Sequence, residues 1–242
     1  MTKLSWEKFE PLFSTWASKL KPFFDSGGFD SIYESLKKDS SRGVKIAPLS
    51  SQVYRAFQET PINGVNVVLL SMCPYHTFYK NVPVADGLTF SCSVTGKAQP
   101  SLEKVWETWE NELYDGICLD CIKNPDLGYL AKQGVLLLNS SLTVAEGKPS
   151  SHADIWYNFT KFVLEECLSY TGIPIVMIGK DAQKFEKYVT PLTHGQLFKI
   201  EHPAFAARNQ SIWDTKGVFT KINKIVWDNN KVKINWLEKI ED

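Results

Sequence analysis

The chain has 242 residues, 43% of them hydrophobic and 13% aromatic, with eight Trp; this richness excludes intrinsic disorder and low complexity, and the length suits one large domain. Lys plus Arg and Asp plus Glu each number 27, a formal net charge of zero, which excludes a histone-like polyelectrolyte and a polybasic membrane binder but allows a local basic groove. Only Arg42, Arg55 and Arg208 offer the planar fork that clamps phosphate, so Lys carries most of the positive charge.

The first 44 residues are expected to form a helical part, with a helix over Trp6 to Phe24. Four short β-branched apolar runs then read as strands: 65–70 (VNVVLL), 134–139 (GVLLLN), 173–179 (IPIVMIG) and 197–200 (LFKI). Between and after them, helical spacing covers Ser101 to Leu113, Asp154 to Tyr170, Asp181 to Tyr188 and Lys216 to Trp227. Continuous apolar strands alternating with helices predict an α/β fold: a central, mostly parallel four-stranded sheet with helices on both faces. No repeat or Pro/Gly/Ser linker divides the chain, so residues 1–242 read as one domain.

The opening MTKLSWEKFEPLF lacks a basic stretch before an apolar one, and no run reaches 18 apolar residues; neither a signal peptide nor a membrane span is expected. The five Cys are scattered, and Cys118 and Cys121 have no second pair or nearby His at metal-ligand spacing. They read as two reduced thiols, not as a zinc site, in a protein of a reducing compartment.

A parallel sheet places ligands beyond the carboxyl ends of its strands. Ser71-Met72-Cys73-Pro74-Tyr75-His76 comes after the first run, Asn139-Ser140-Ser141 after the second, Gly179-Lys180-Asp181 after the third and Glu201-His202-Pro203 after the fourth. Two His, an Asn, a Tyr and a Cys are thereby expected on one rim. His194 has no such setting and reads as surface.

These segments, in order and spacing, resemble the family-1 uracil-DNA glycosylases over nearly the whole chain. SMCPYH (71–76) stands where the family has G-Q-D-P-Y-H, and ADGLTFS (85–91) is similar to A-H-G-L-x-F-S. KQGVLLLNSSLTV (132–144), SSHADIWYNFT (150–160), GKDAQ (179–183), HPAFAA (202–207) and VFTKIN (218–223) come next in family order. The resemblance implies that a nucleotide is flipped out of DNA and its N-glycosidic bond cleaved. Phe90 matches the ring that stacks on the base, and Asn139 the amide that pairs with uracil N3–H and O4. Tyr75 matches the ring that crowds C5 against thymine's methyl. His202 matches the donor to uracil O2 as charge builds on the leaving base, the logic of an oxyanion hole. His76 is expected to orient the loop or its water. Ser101, Ser150, Ser151 and His152, with Arg208, are expected at the DNA backbone.

Five departures bear on chemistry. Cys73 replaces the loop Asp that positions the attacking water, and a thiol is a poor general base at neutral pH. Asp86 in place of a family His, or Glu201 beside His202, is a candidate substitute carboxylate, and direct attack by Cys73 is a further alternative. Glu201 is the weaker of the two carboxylates, because neighbouring strand residues point to opposite faces. Ala206 replaces the Leu wedge that fills the flipped-out gap, leaving Phe205 as a stand-in and single-stranded or distorted DNA as the favoured substrate. Residues 77–84 (TFYKNVPV) form an insertion expected to border the pocket on the C5 side, and Met72 replaces a Gln whose contacts are mainly main-chain.

Two functions therefore stand: a DNA glycosylase for uracil or a modified pyrimidine, in repair or antiviral defence, and a catalytically silent DNA-binding adaptor, as in a replication processivity complex. The resemblance implies DNA and a protein inhibitor or replication partner as partners, no cofactor, metal or membrane, a monomer, and a cytoplasmic location (nuclear in a eukaryotic host). Residues 103–126 carry a local charge of −5, leaving +5 elsewhere; this predicts localised phosphate contacts without steep salt dependence.

Overall fold

A computed structural model describes residues 4–168, 172–189 and 196–240. The principal elements are α1 (Ala17–Asp25), α2 (Gly28–Ser41), β1 (Val67–Ser71), α3 (Pro100–Leu113), β2 (Val135–Asn139), α4 (Ala153–Phe162), β3 (Ile175–Ile178), α5 (Lys180–Gln183), β4 (Leu197–Ile200), α6 (Pro203–Asn209) and α7 (Val218–Asn230). The four strands form one parallel sheet in the order β2-β1-β3-β4. Every residue of β1, β2 and β3 is buried, as unbroken apolar runs require when both faces are covered. The α/β architecture expected from the sequence is the one observed.

Two aromatic clusters knit the flanking helices. On α1, α2 and α4, Phe23 lies 5.0 Å from Phe29 and 5.4 Å from Phe159 between ring centres. On α3 and α7, Trp109 and Phe219 are 5.7 Å apart, and Trp236 packs against both. Each fully buried large side chain of this kind contributes about 1.5–3 kcal/mol of transfer free energy.

Several boundaries differ from the sequence expectation, each for a local reason. The helix expected over Trp6 to Phe24 is broken into a turn at Trp6–Phe9, two tight turns, and α1. Pro11 lacks the amide that would continue the first turn, and Ser14 takes a left-handed φ of 49°. Helix α2 has no counterpart in the apolar pattern, because only Phe29 and Ile32 are buried along its 14 residues. The segment Asp154 to Tyr170 is α4 followed by a wider turn at Val163–Leu168; Tyr170 lies outside the described residues. Asp181 to Tyr188 divides into α5 and a tight turn at Glu186–Tyr188. The last helix starts at Val218, after Lys216 and Gly217 have both turned left-handed.

The insertion 77–84 is a β-hairpin, Phe78–Tyr79 against Val82–Pro83, closed by Lys80 and Asn81 with φ of 48° and 67°. Two consecutive left-handed residues are what a tight hairpin turn between right-twisted strands needs. Cys118 and Cys121, expected as thiols, are joined in a disulfide with Cα atoms 5.4 Å apart, because the loop folds their side chains together. They lie with Asp120 in the one group of His, Cys or acidic ligands gathered within 4.8 Å among the described residues, and the sulfur–sulfur bond removes both thiolates as metal ligands.

Candidate active site

Strand register levels the rim. Ser71 pairs with Asn139, Leu70 with Met177, and Ile178 with Ile200, so the chain leaves β1, β3 and β4 at one edge. The segments just beyond these strands, Met72 to His76, Gly179 to Lys180 and Glu201 to His202, border a cleft of about 700 Å³. Thr89, Phe90, Ser101, Ser150, Phe205 and Arg208 complete its wall.

His202 caps helix α6: its Nδ1 accepts the Ala204 amide at 3.2 Å. An accepting Nδ1 places the ring proton on Nε2. Burial, aided by the Arg208 charge and opposed by Asp181, pushes the His202 pKa down to about 4, so the ring is neutral at pH 7. A neutral imidazole whose Nε2–H has no hydrogen-bond partner among the described residues is a directed donor that carries no net charge.

The opposite wall is rigid. The Tyr75 hydroxyl lies 3.2 Å from the Phe90 carbonyl and 2.9 Å from Ser101 Oγ, tying the loop after β1 to the start of α3. Burial raises the Tyr75 pKa, so the ring stays a neutral phenol. Phe90 holds a left-handed φ of 63°, and its ring centre is 5.6 Å from that of His202. A bulky residue in that region costs on the order of 1–3 kcal/mol, which the surrounding packing must outweigh. Thr89 lines the cleft and donates its hydroxyl to Asn139 Oδ1 at 3.0 Å. Asn139 itself is buried behind it and is not part of the cleft wall.

The β1 loop carries Cys73 against Ser150. Burial raises the Cys73 pKa; the Ser150 amide and hydroxyl pull the other way and Asp181 adds to the rise, leaving a neutral thiol at pH 7. Ser150, with a left-handed φ of 58°, donates its hydroxyl to Asp181 Oδ2 at 2.9 Å. Lys184 reaches the other oxygen of that carboxylate at 2.5 Å.

The family model for the uracil DNA glycosylase superfamily matches residues 57–226. The chain belongs to the uracil DNA glycosylase superfamily. It is 33% identical over 227 residues to a uracil-DNA glycosylase of Coxiella burnetii (strain CbuG_Q212), covering 92% of this chain and 93% of that one. It is also 33% identical over 231 residues to that of Proteus mirabilis, with 93% and 95% covered. In fold it is similar to mimivirus uracil-DNA glycosylase, with a TM-score of 0.81 at 20% identity over 97% of this chain and 90% of that chain. Another crystal structure of the mimivirus enzyme, carrying Y322L, is in complex with UGI and gives a TM-score of 0.82 at 20% identity over 97% and 91%.

Within this superfamily frame, the structure gathers Met72, Cys73, Tyr75, His76, Phe90, Ser101, Ser150, His202 and Arg208 at the cleft. It places other expected residues elsewhere. Asp86 is wholly buried: it pairs with Arg55 at 2.8 Å and accepts from Ser91 Oγ at 2.6 Å and from the Ser93 amide at 2.8 Å. Its oxygens are committed away from the cleft, so it is not the substitute carboxylate. Next to it, Gly87 has φ 99° and a Cβ there would meet the Gln52 carbonyl at 2.0 Å, so only glycine lets this loop pass.

His152 is also buried, its Nδ1 2.8 Å from Thr143 Oγ1 and its Nε2 3.4 Å from Asp39, and it cannot touch a phosphate. Ser151 is exposed but lies off the cleft, its Oγ accepting the Ala145 amide. Ala206 is 4% exposed and fills core space, whereas Phe205 beside it is 63% exposed at the cleft mouth. No residue of the 77–84 hairpin lines the cleft; Phe78 packs against Ala47, Ala85 and Val144 instead. Met72 lends its carbonyl to Ser140 Oγ and the Ser141 amide. His194 falls outside the described residues. Thr89 and Asp181 were not singled out from sequence; the only signals were the x of G-L-x-F-S and a position just past β3.

Proposed function

We propose that this chain removes uracil from DNA by cleaving the bond between C1′ of the sugar and N1 of the base. The observation that carries the reading is His202, whose neutral ring, fixed by the Ala204 amide, offers Nε2–H to the cleft facing Phe90. As the C1′–N1 bond stretches, negative charge collects on O2 of the base. A donor already aimed at that oxygen stabilises the transition state more than the ground state, which is what accelerates a reaction.

The other residues fit this role. Phe90 supplies the stacking face for the flipped base, and Tyr75, pinned by Phe90 and Ser101, walls the C5 side against a methyl group. Thr89 and Asn139 form a donor–acceptor pair at the depth where the base's polar edge would arrive. Arg208 and Lys180 at the rim serve the DNA backbone, and exposed Phe205 fills the gap in the stack. The hairpin's place outside the cleft favours plain uracil over a bulky modified pyrimidine.

One observation favours a second reading, a silent DNA-binding adaptor: the β1 loop presents a neutral Cys73 thiol where water must be activated. Incubation with single-stranded and duplex oligonucleotides carrying one uracil, thymine or modified pyrimidine, followed by alkaline cleavage, separates the two. A break at uracil and none at thymine is expected. Tight DNA binding with no break at any base would establish the adaptor instead.

A further inference from the structure

A glycosylase that uses water needs an acceptor for one of its protons, and the β1 loop lacks one. Asp86 is committed to Arg55, Ser91 and Ser93. Glu201 lines the cleft, but no hydrogen bond fixes its carboxylate among the described residues. One carboxylate is both fixed and connected to the wall. Asp181, on α5, binds the hydroxyl of Ser150 at 2.9 Å, and Ser150 lines the cleft beside Cys73. Ser150 is held there with a left-handed φ of 58°, a conformation a serine adopts only when its surroundings impose it.

Building on the uracil-excision reading, we propose that Ser150 and Asp181 form the water-handling pair that replaces the missing loop carboxylate: Ser150 Oγ orients the attacking water, and Asp181 holds that hydroxyl in place. In the step, the C1′–N1 bond breaks and its electron pair leaves with the base, held at O2 by His202. A lone pair of the water oxygen forms the new C1′–O bond. The proton that this oxygen then sheds passes to Ser150 Oγ as the Ser150 proton passes to Asp181 Oδ2. Because the oxygen is positively charged when it gives up the proton, a weakly basic carboxylate is a sufficient acceptor. Ser150 is thus a catalytic residue and Asp181 a positioning residue.

The groups facing Asp181 are Lys184 on its own helix, Ser150 before α4, Cys73 after β1 and His202 after β4, with Asp154 of α4 near Lys184. Lys184 leads in holding the Asp181 pKa below its usual value, so the carboxylate stays ionised across the neutral range.

The test is single-turnover release of uracil from a single-stranded oligonucleotide by wild type, Asp181→Asn, Ser150→Ala and Glu201→Gln, each from pH 5 to 9.5. The wild-type rate is expected to be flat over that range. Asp181→Asn and Ser150→Ala should each lose about 10²–10³-fold in the maximal single-turnover rate constant, with the half-saturating enzyme concentration within about threefold. Adding Cys73→Asp to Asp181→Asn should restore at least tenfold, because a carboxylate returns to the loop. Release by wild type with Asp181→Asn within about threefold of it overturns the inference and leaves the uracil reading standing. A loss confined to Glu201→Gln, or a wild-type rate climbing tenfold per pH unit toward pH 9.5 as a Cys73 thiolate forms, overturns it as well. No release by wild type overturns both.

Discussion

Gly179 and His202 are in such close approach that a Cβ on Gly179 would sit 3.0 Å from the His202 Cβ. Gly179 also adopts φ 85° and ψ 163°, a region open essentially to glycine alone. The end of β3 thus sets where the His202 ring stands. Gly179→Ala is expected to cost about 1–3 kcal/mol of stability and, in the molecules that remain folded, to slow uracil release at least tenfold. Urea denaturation and a single-turnover assay check the two effects; an unchanged rate would free His202 from this contact.

The depressed His202 pKa has a thermodynamic consequence. Its folded value, about 4, lies below the ordinary histidine value of 6.5, so the unfolded chain binds the proton more tightly. Stability is therefore complete above about pH 6.5 and falls as the pH drops toward 4, by about 3 kcal/mol from this group. Between pH 7 and 4, wild type should lose about 3 kcal/mol more stability than His202→Gln in paired melting curves, because the variant lacks this proton uptake. Parallel curves would show that His202 titrates normally.

Asp86 belongs to the architecture and not to the chemistry. Asp86→Ala leaves Arg55 paired with Glu59 and Asp126 but takes the acceptor from the Ser91 hydroxyl and the Ser93 amide, and is expected to destabilise by about 1–3 kcal/mol, the cost of leaving a buried donor unsatisfied. The surviving folded fraction should retain uracil release within about threefold. Denaturation paired with activity per folded molecule distinguishes this from a loss of catalysis at full stability, which would return Asp86 to the active site.

Much of this was legible in the sequence. The apolar runs at 65–70, 134–139, 173–179 and 197–200 announced buried parallel strands, and a parallel sheet brings the residues beyond each strand end to one rim. Tyr75 and His202 were placed that way, whereas Phe90 came from the resemblance of ADGLTFS (85–91) to the family motif. The hidden part depends on neighbours distant in the chain. Asp86 and Asp181 are both acids next to short motifs, yet Arg55 draws one into the core while Ser150 fixes the other beside the cleft. His152 reads as a phosphate ligand until Thr143 and Asp39 are seen around it. The insertion 77–84 reads as a pocket loop until its two left-handed turn residues fold it back on itself.

Phe205 stands exposed where Ala206 is buried, and its ring is the one large apolar group at the cleft mouth on α6. A wedge matters only when a base must be held out of a stack. Phe205→Ala is expected to slow release from duplex DNA about tenfold and from single-stranded DNA less than threefold. Equal effects on both substrates, read in parallel single-turnover assays, would assign Phe205 to the pocket and not to the gap.

The central claim rests on a neutral donor facing a flipped uracil, and the rate of uracil release from a single-stranded oligonucleotide at pH 7, measured for wild type and His202→Ala, tests it most directly. Wild type should release free uracil and leave an alkali-labile abasic site, while His202→Ala should be slower by about 10²–10³-fold, the usual loss for one oxyanion donor. No free uracil from the wild-type protein, or equal rates for the two, would contradict the account.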